Sequence, residues 1–312
     1  MSRFARVRHI VEYAAFRATA ALIAALPLET ASRWSGRGWR AIAPHLRRHR
    51  RALDNLAAAF PEMSAAERER IASAMWENLG RTFAEFFHLS QIEAQGRLAL
   101  EPPERFQAVA AAGPFVVCGL HMGNWELMAL AGYRFGVKLA GVYQILSNPL
   151  VDRAVYALRA PWYLGGLRVK STATARALLR QAHEGGSPAF VADLHEWRGI
   201  ATPFFGRPAF SNPFPALIAR ATGLPLYAVR VIRLPNAHFS MRIERIEVPK
   251  TDNRDADVAA ATAALQARFE EFIREAPEQW MWAHQRWRRG AGFPSAGEPC
   301  ETDAVESRRS RR

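Results

Sequence analysis

Pro114-Phe115-Val116-Val117-Cys118-Gly119-Leu120 runs directly into His121-Met122-Gly123-Asn124-Trp125-Glu126, and then into Leu127-Met128-Ala129-Leu130. The first stretch is a short apolar run that reads as a buried strand, and the last reads as the start of a helix. A strand handing over to a helix through a polar loop is the unit of an open α/β sheet, whose ligands bind at the carboxyl ends of the strands. Asn124 is a good N-cap, and Glu126 falls in the first turn, where the helix dipole favours a carboxylate. The loop can also fold Glu126 back to the His121 imidazole. A carboxylate on one ring nitrogen sets the tautomer and leaves the other free to take a proton from a hydroxyl. Spacing alone leaves two readings open: a catalytic His–Glu pair, or a surface histidine beside an ordinarily capped helix.

Outward from this element, short apolar runs at 115–120, 138–143, 189–192 and 226–232 alternate with helical stretches. This rhythm predicts an α/β fold with a mixed, largely parallel central sheet flanked by helices. Met241, Ile243, Ile246 and Val248 alternate with charged residues as in a half-exposed strand, and Val258, Ala261, Leu265, Phe269 and Phe272 mark one face of a helix. Upstream, residues 28–95 read as mostly helical. There Ser64 and Glu67 form a capping box ahead of Ile71, Met75, Leu79, Phe83 and Phe86, a core face at helical spacing.

At the N-terminus, Arg3, Arg6 and Arg8 precede an Ala/Leu/Ile-rich run ending at Pro27, interrupted by Glu12 and Arg17. A helix lying in a membrane interface suits it better than a span or a signal peptide, with an alanine-rich core helix as the other reading. The chain thus divides into a membrane-associating helix (1–27), one domain (28–290, with 110–290 its α/β part) and a polar, Arg/Ser/Glu-rich tail (291–312) expected to be disordered.

Of the 312 residues 49% are hydrophobic, enough for a sizeable core, and the formal net charge is +13. A charge this basic seeks nucleic acid, an anionic membrane or an acidic protein. No zinc-finger spacing, RNA-binding strand motif or basic zipper occurs, so nucleic acid is set aside. Cys118 and Cys300 give neither a disulfide framework nor metal-ligand spacing. His195-Glu196 has no second histidine at zinc-binding spacing, so no metal is expected. The absence of Gly-x-Ser-x-Gly disfavours a nucleophile-elbow hydrolase.

Three further stretches carry candidate chemistry. Gly165-Gly166-Leu167-Arg168-Val169-Lys170 offers close backbone approach and cations for a phosphate or carboxylate, though alone it reads as a turn into a strand with solvated cations. Asp193 to Arg198 follow a buried strand, and Pro203-Phe204-Phe205-Gly206 suits either a wall for an apolar ligand or loop packing. Between Pro277 and Arg289, tryptophans interleave with arginines, as in an interfacial belt or a site for an anionic, apolar-tailed ligand, or else in a docking helix that closes the core; the readings can hold together.

Taken in order, four blocks resemble the late acyltransferases of lipid A biosynthesis, the lauroyl/myristoyl acyltransferase family related to glycerolipid acyltransferases. They are the His121-x4-Glu126 element, Ser147-Asn148-Pro149-Leu150-Val151-Asp152, Pro203-Phe204-Phe205-Gly206 and Pro277-Glu278-Gln279-Trp280-Met281-Trp282-Ala283-His284. Asn55-Leu56 with Phe60-Pro61-Glu62 fits too. The resemblance implies transfer of a fatty acyl group from acyl carrier protein to a hydroxyacyl chain hydroxyl of a Kdo-bearing lipid A precursor, without a cofactor. It implies His121 as general base, Glu126 as the residue that orients it, and Arg168 as a holder of phosphate or oxyanion. Asn124, Lys170 and Asp193 are expected at the substrate, Asp193 in structural or substrate-orienting work. The implied location is the cytoplasmic face of the inner membrane, reached by the N-terminal helix and a basic, aromatic surface. Leu194-His195-Glu196-Trp197 departs from the family's usual glutamine and aromatic neighbours, which bears on substrate choice. Two alternatives stand: an acyltransferase of this fold acting on another membrane lipid, and a non-enzymatic basic membrane-peripheral protein.

Overall fold

The computed structural model describes residues 3–287, so the tail expected to be disordered lies outside the described residues. Five helices come first: α1 (Arg3–Ala25), α2 (Leu28–Ile42), α3 (Arg47–Ala59), α4 (Ala65–Glu85) and α5 (Leu89–Ala94). The α/β part follows as β1 (Leu98–Glu101), α6 (Pro103–Ala111), β2 (Val116–Gly119), α7 (Met128–Arg134), β3 (Leu139–Tyr143), α8 (Pro149–Arg159), β4 (Leu167–Val169), α9 (Thr172–His183) and β5 (Ser187–Val191). It closes with a hairpin, β6 (Ile200–Phe204) and β7 (Arg207–Ser211), then α10 (Phe214–Thr222), β8 (Leu226–Leu234), β9 (His238–Ile246) and α11 (Arg254–Glu275).

The seven-stranded sheet has the order β1-β9-β8-β2-β5-β3-β4. β8, β2, β5, β3 and β4 run parallel, and the antiparallel β8–β9 pair reverses direction before β1 joins β9 in parallel. The sheet is therefore mixed and largely parallel. Side chains alternate across a strand, so β2 serves two cores. Val116 and Cys118 pack with α9, α10 and α11, whereas Val117 faces the cluster built from α6, α7, Phe239 and Met241. β9 keeps the expected alternation, burying Met241, Ile243 and Ile246 and leaving Arg245 exposed.

The α4 capping box forms, with Ser64 accepting from the Glu67 N–H and the Glu67 carboxylate accepting from the Ser64 N–H. Along α4, Ile71 and Met75 are core, but Phe83 is 37% exposed, its ring edge-on to that of Phe87. The Pro277 to Trp287 segment closes the core: Trp280, Trp282 and Trp287 are buried against Phe204 and Phe205. This removes both the interfacial-belt reading of the tryptophans and the ligand-wall reading of the Phe204–Phe205 pair. Arg286 is buried there too, with its guanidinium over the Phe204 ring and donating to Ser211, Gln266 and the Phe210 carbonyl.

α1 is mostly exposed, so it is not a core helix. It docks on α8 through Asn148, whose Nδ2 donates to the His9 carbonyl (2.9 Å) and to Glu12 (2.9 Å), and it leaves Phe4, Val7, Ile10, Val11 and Leu22 exposed. Among the described residues no helix is long and apolar enough to cross a membrane.

Candidate active site

The parallel pairing of β2 with β5 sets Gly119 opposite Val191. Two residues beyond each, at the carboxyl ends of the strands, stand His121 and Asp193. The Asp193 carboxylate accepts from His121 twice: Oδ1 lies 2.8 Å from Nδ1, and Oδ2 takes the backbone N–H at 2.9 Å. Oδ2 also accepts from the Trp280 indole N–H at 2.8 Å. Asp193 is 0% exposed. Burial alone would raise its carboxyl pKa, but the His121 charge and these hydrogen bonds outweigh burial and hold it down at about 2. An ionised carboxylate on Nδ1 requires the Nδ1–H tautomer, so Nε2 carries the lone pair.

His121 lies on the wall of a cavity of about 570 Å³. Its ring meets the edge of Trp125 (centroids 5.2 Å) and stands 5.5 Å from His284. The same wall carries Arg159 and Glu126, paired through Arg159 Nε to Glu126 Oε2 at 2.8 Å and further held by the Trp125 indole at 3.2 Å. Burial would lower the Arg159 pKa, but the Glu126 carboxylate more than reverses this, so the guanidinium is firmly charged. A narrow apolar cavity of about 60 Å³ lies between the sheet and α6–α7. It shares Met128, Val142, Tyr163, Phe190 and Val191 with the wide one, so the two adjoin.

A sequence profile of the bacterial lipid A biosynthesis acyltransferases matches residues 1–289. The chain belongs to that family. It is 27% identical over 256 residues to the lipid A biosynthesis lauroyltransferase of Escherichia coli strain K12, covering 77% of this chain and 79% of that protein. It is also 26% identical over 248 residues to the phosphatidylinositol mannoside acyltransferase of Mycobacterium tuberculosis, covering 75% of each. Family membership makes the protein an acyltransferase and sets aside the non-enzymatic reading.

In this acyltransferase the carboxylate on the imidazole is Asp193, and Glu126 pairs instead with Arg159. The sequence expectation for Glu126 is corrected on that point, because the short 3-10 helix Trp125–Leu127 carries its side chain towards α8. Asn124 caps that helix as expected, accepting from the Glu126 N–H at 3.2 Å, but it is fully buried with its amide on Glu85 and takes no part in the cavity wall. Arg168 is exposed, 3.5 Å from Gln181, and outside the wall, since alternation along β4 turns Leu167 inward and Arg168 outward. Lys170 does line the cavity, tied to Glu196 at 2.7 Å. Arg159, Trp280 and His284 complete the site. Trp280 and His284 lie within a block already singled out, whereas Arg159 carries no local signal.

His284 is half-buried, and burial, followed by repulsion from the His121 charge, pushes its pKa down to about 4 from 6.5. A base whose folded pKa lies below its unfolded one loses stability as pH falls, here from 6.5 down to 4. The loss reaches up to about 3 kcal/mol, at 1.36 kcal/mol per unit. Urea unfolding at pH 7 and pH 4.5 should show this acid loss reduced in His284→Gln; an equal loss in both chains contradicts the assignment.

Proposed function

We propose that the protein moves a fatty acyl chain from an acyl carrier protein thioester to the hydroxyl of a hydroxyacyl chain on a Kdo-bearing lipid A precursor. The observation that carries this reading is the His121–Asp193 pair on the wall of the wide cavity, in a chain of the lipid A acyltransferase family. His121 Nε2 takes the acceptor's hydroxyl proton as its oxygen attacks the thioester carbonyl, and Asp193 stabilises the imidazolium. The tetrahedral oxyanion then collapses, the carbon–sulfur bond breaks, and the imidazolium returns its proton to the departing thiolate.

Arg159, held charged by Glu126, faces the same space and stabilises negative charge there. Glu126 thus serves the reaction through Arg159. Lys170 on the wall and Arg168 on the adjoining surface hold the acceptor's phosphates, and Asn124 acts through the loop it caps. A net charge of +13 and the exposed apolar residues of α1 support docking on the anionic cytoplasmic face of the inner membrane. The same charge favours acidic acyl carrier protein as donor.

The narrow apolar cavity takes the far end of the acyl chain, and Met128 stands between the two compartments. Met128→Ala should shift preference to longer donors, by roughly four-fold in kcat/KM per added methylene, from about 0.8 kcal/mol for each methylene buried. An unchanged chain-length profile would remove this cavity from the acyl path.

A second acceptor class, another membrane lipid, is favoured by the likeness to a phosphatidylinositol mannoside acyltransferase. Purified protein, acyl carrier protein thioesters and anionic or zwitterionic vesicles carrying either a lipid A precursor or a glycolipid separate the two. The expected result is acylation of the lipid A precursor, faster on anionic vesicles. Transfer to the glycolipid alone would select the second reading.

A further inference from the structure

Behind the His121 loop lies a buried polar network that the proposed chemistry does not use. Asn78, Thr82 and Glu85 recur on one face of α4 and are all buried. The Gly123 carbonyl accepts from Thr82 Oγ1 (2.8 Å) and from Asn78 Nδ2 (3.0 Å). Glu85 accepts from the Asn124 amide (2.9 Å) and from Ser32 (2.7 Å), and pairs with Arg233 at the end of β8. Arg233 in turn donates to Asn78 Oδ1 (2.9 Å) and to Thr82 Oγ1 (2.8 Å). The Gln279 side chain bonds the Arg233 backbone in both directions (2.7 and 3.1 Å), and the Gln279 carbonyl accepts from the Gly123 N–H (3.0 Å).

The two segments this network grips are those that carry the site. Gly123 and Asn124 follow His121, and Gln279 precedes Trp280, the indole donor to Asp193. Gly123 sits at φ 57°, and a Cβ there would come within 2.1 Å of the Val231 carbonyl oxygen, so the loop is pressed onto β8 with no room for adjustment. Glu85 is fully buried and Arg233 nearly so; such an ion pair is costly to desolvate, and apolar side chains of similar volume stabilise a fold as well or better. Its distinctive product is geometry, because each partner has one place where all its hydrogen bonds are made.

We infer that Asn78, Thr82, Glu85 and Arg233 form a positioning frame that sets where His121 meets Asp193, and that the frame acts on turnover rather than on substrate affinity. None of the four lines either cavity, so each works through the loop. Thr82 is the most selective probe, since its hydroxyl both donates to Gly123 and accepts from Arg233. Thr82→Val keeps the shape and removes the hydroxyl; Thr82→Ser restores it.

The test pairs kinetics with the downfield imidazole N–H proton resonance of the His121–Asp193 hydrogen bond. Thr82→Val should shift or broaden that resonance and lower kcat by about ten- to hundred-fold, as expected for a misplacement of up to an ångström. KM should stay within roughly two-fold, because ground-state binding is untouched. Thr82→Ser should recover both. If Thr82→Val does not fold, Asn78→Ser gives the same readouts while leaving the Glu85–Arg233 pair in place. Reduced thermal stability with kcat and the resonance unchanged would overturn the frame. The kinetic arm rests on the acyl-transfer reading and the resonance does not. A wild-type protein that transfers no acyl group therefore fails that reading alone, and the resonance still decides the frame.

Discussion

His121→Ala is expected to lower kcat/KM for acyl transfer by about 10²–10⁴-fold, the usual contribution of a positioned general base. The fold should survive the change. Asp193 keeps two of its three donors, the residue-121 backbone N–H and the Trp280 indole, and so is not left as an uncompensated buried charge. The imidazole itself lies on the cavity wall, where its loss leaves room for solvent rather than a sealed void. Circular dichroism and vesicle sedimentation should match wild type while transfer falls. Retained transfer would remove His121 from the chemistry.

Asp193→Asn is expected to be as damaging, at about 10⁴-fold in kcat, for a reason of tautomer rather than of position. Two donors, the His121 backbone N–H and the Trp280 indole, already point at Oδ2, so an asparagine turns its oxygen to that side. Its amide NH₂ then faces Nδ1, which must become the acceptor. Nε2 then holds the proton and can no longer take one from the acceptor hydroxyl. Glu126→Gln touches Arg159 instead and leaves this tautomer alone, so its loss should be smaller. Steady-state rates of the two variants at one pH decide the matter. A larger loss for Glu126→Gln would make the Glu126–Arg159 pair, and not the Asp193-held tautomer, the greater contributor to the rate.

The architecture was legible because its signals are local. The apolar run ending at Leu120, the Ser64–Glu67 box and the spacing of Val258, Ala261, Leu265, Phe269 and Phe272 each declare their element within a few residues. The place of His121 on the cavity wall was legible for the same reason, as that of a polar residue just past a buried strand. The partner of its imidazole was not. Glu126 is near in sequence, but the 3-10 turn at Trp125 sends it to α8, while Asp193 arrives through the β2–β5 register, a pairing no local pattern encodes. Arg159 ends an amphipathic helix and looks like any cation in a last turn until that helix packs beside Glu126. The tryptophans of the final segment left more than one reading open, and only the core-closing one holds. Their interleaving with arginine looks interfacial, yet Trp280 and Trp282 are fully enclosed, and Arg286 is enclosed with them.

The central claim is that His121 drives acyl transfer to a lipid A precursor. It is tested most directly by mass spectrometry of lipid A from cells lacking the gene, resupplied with either the wild-type chain or His121→Ala. The deletion should leave lipid A short of one secondary acyl chain, and only the wild-type chain should restore it. Fully acylated lipid A in the deletion, or restoration by His121→Ala, would contradict the account.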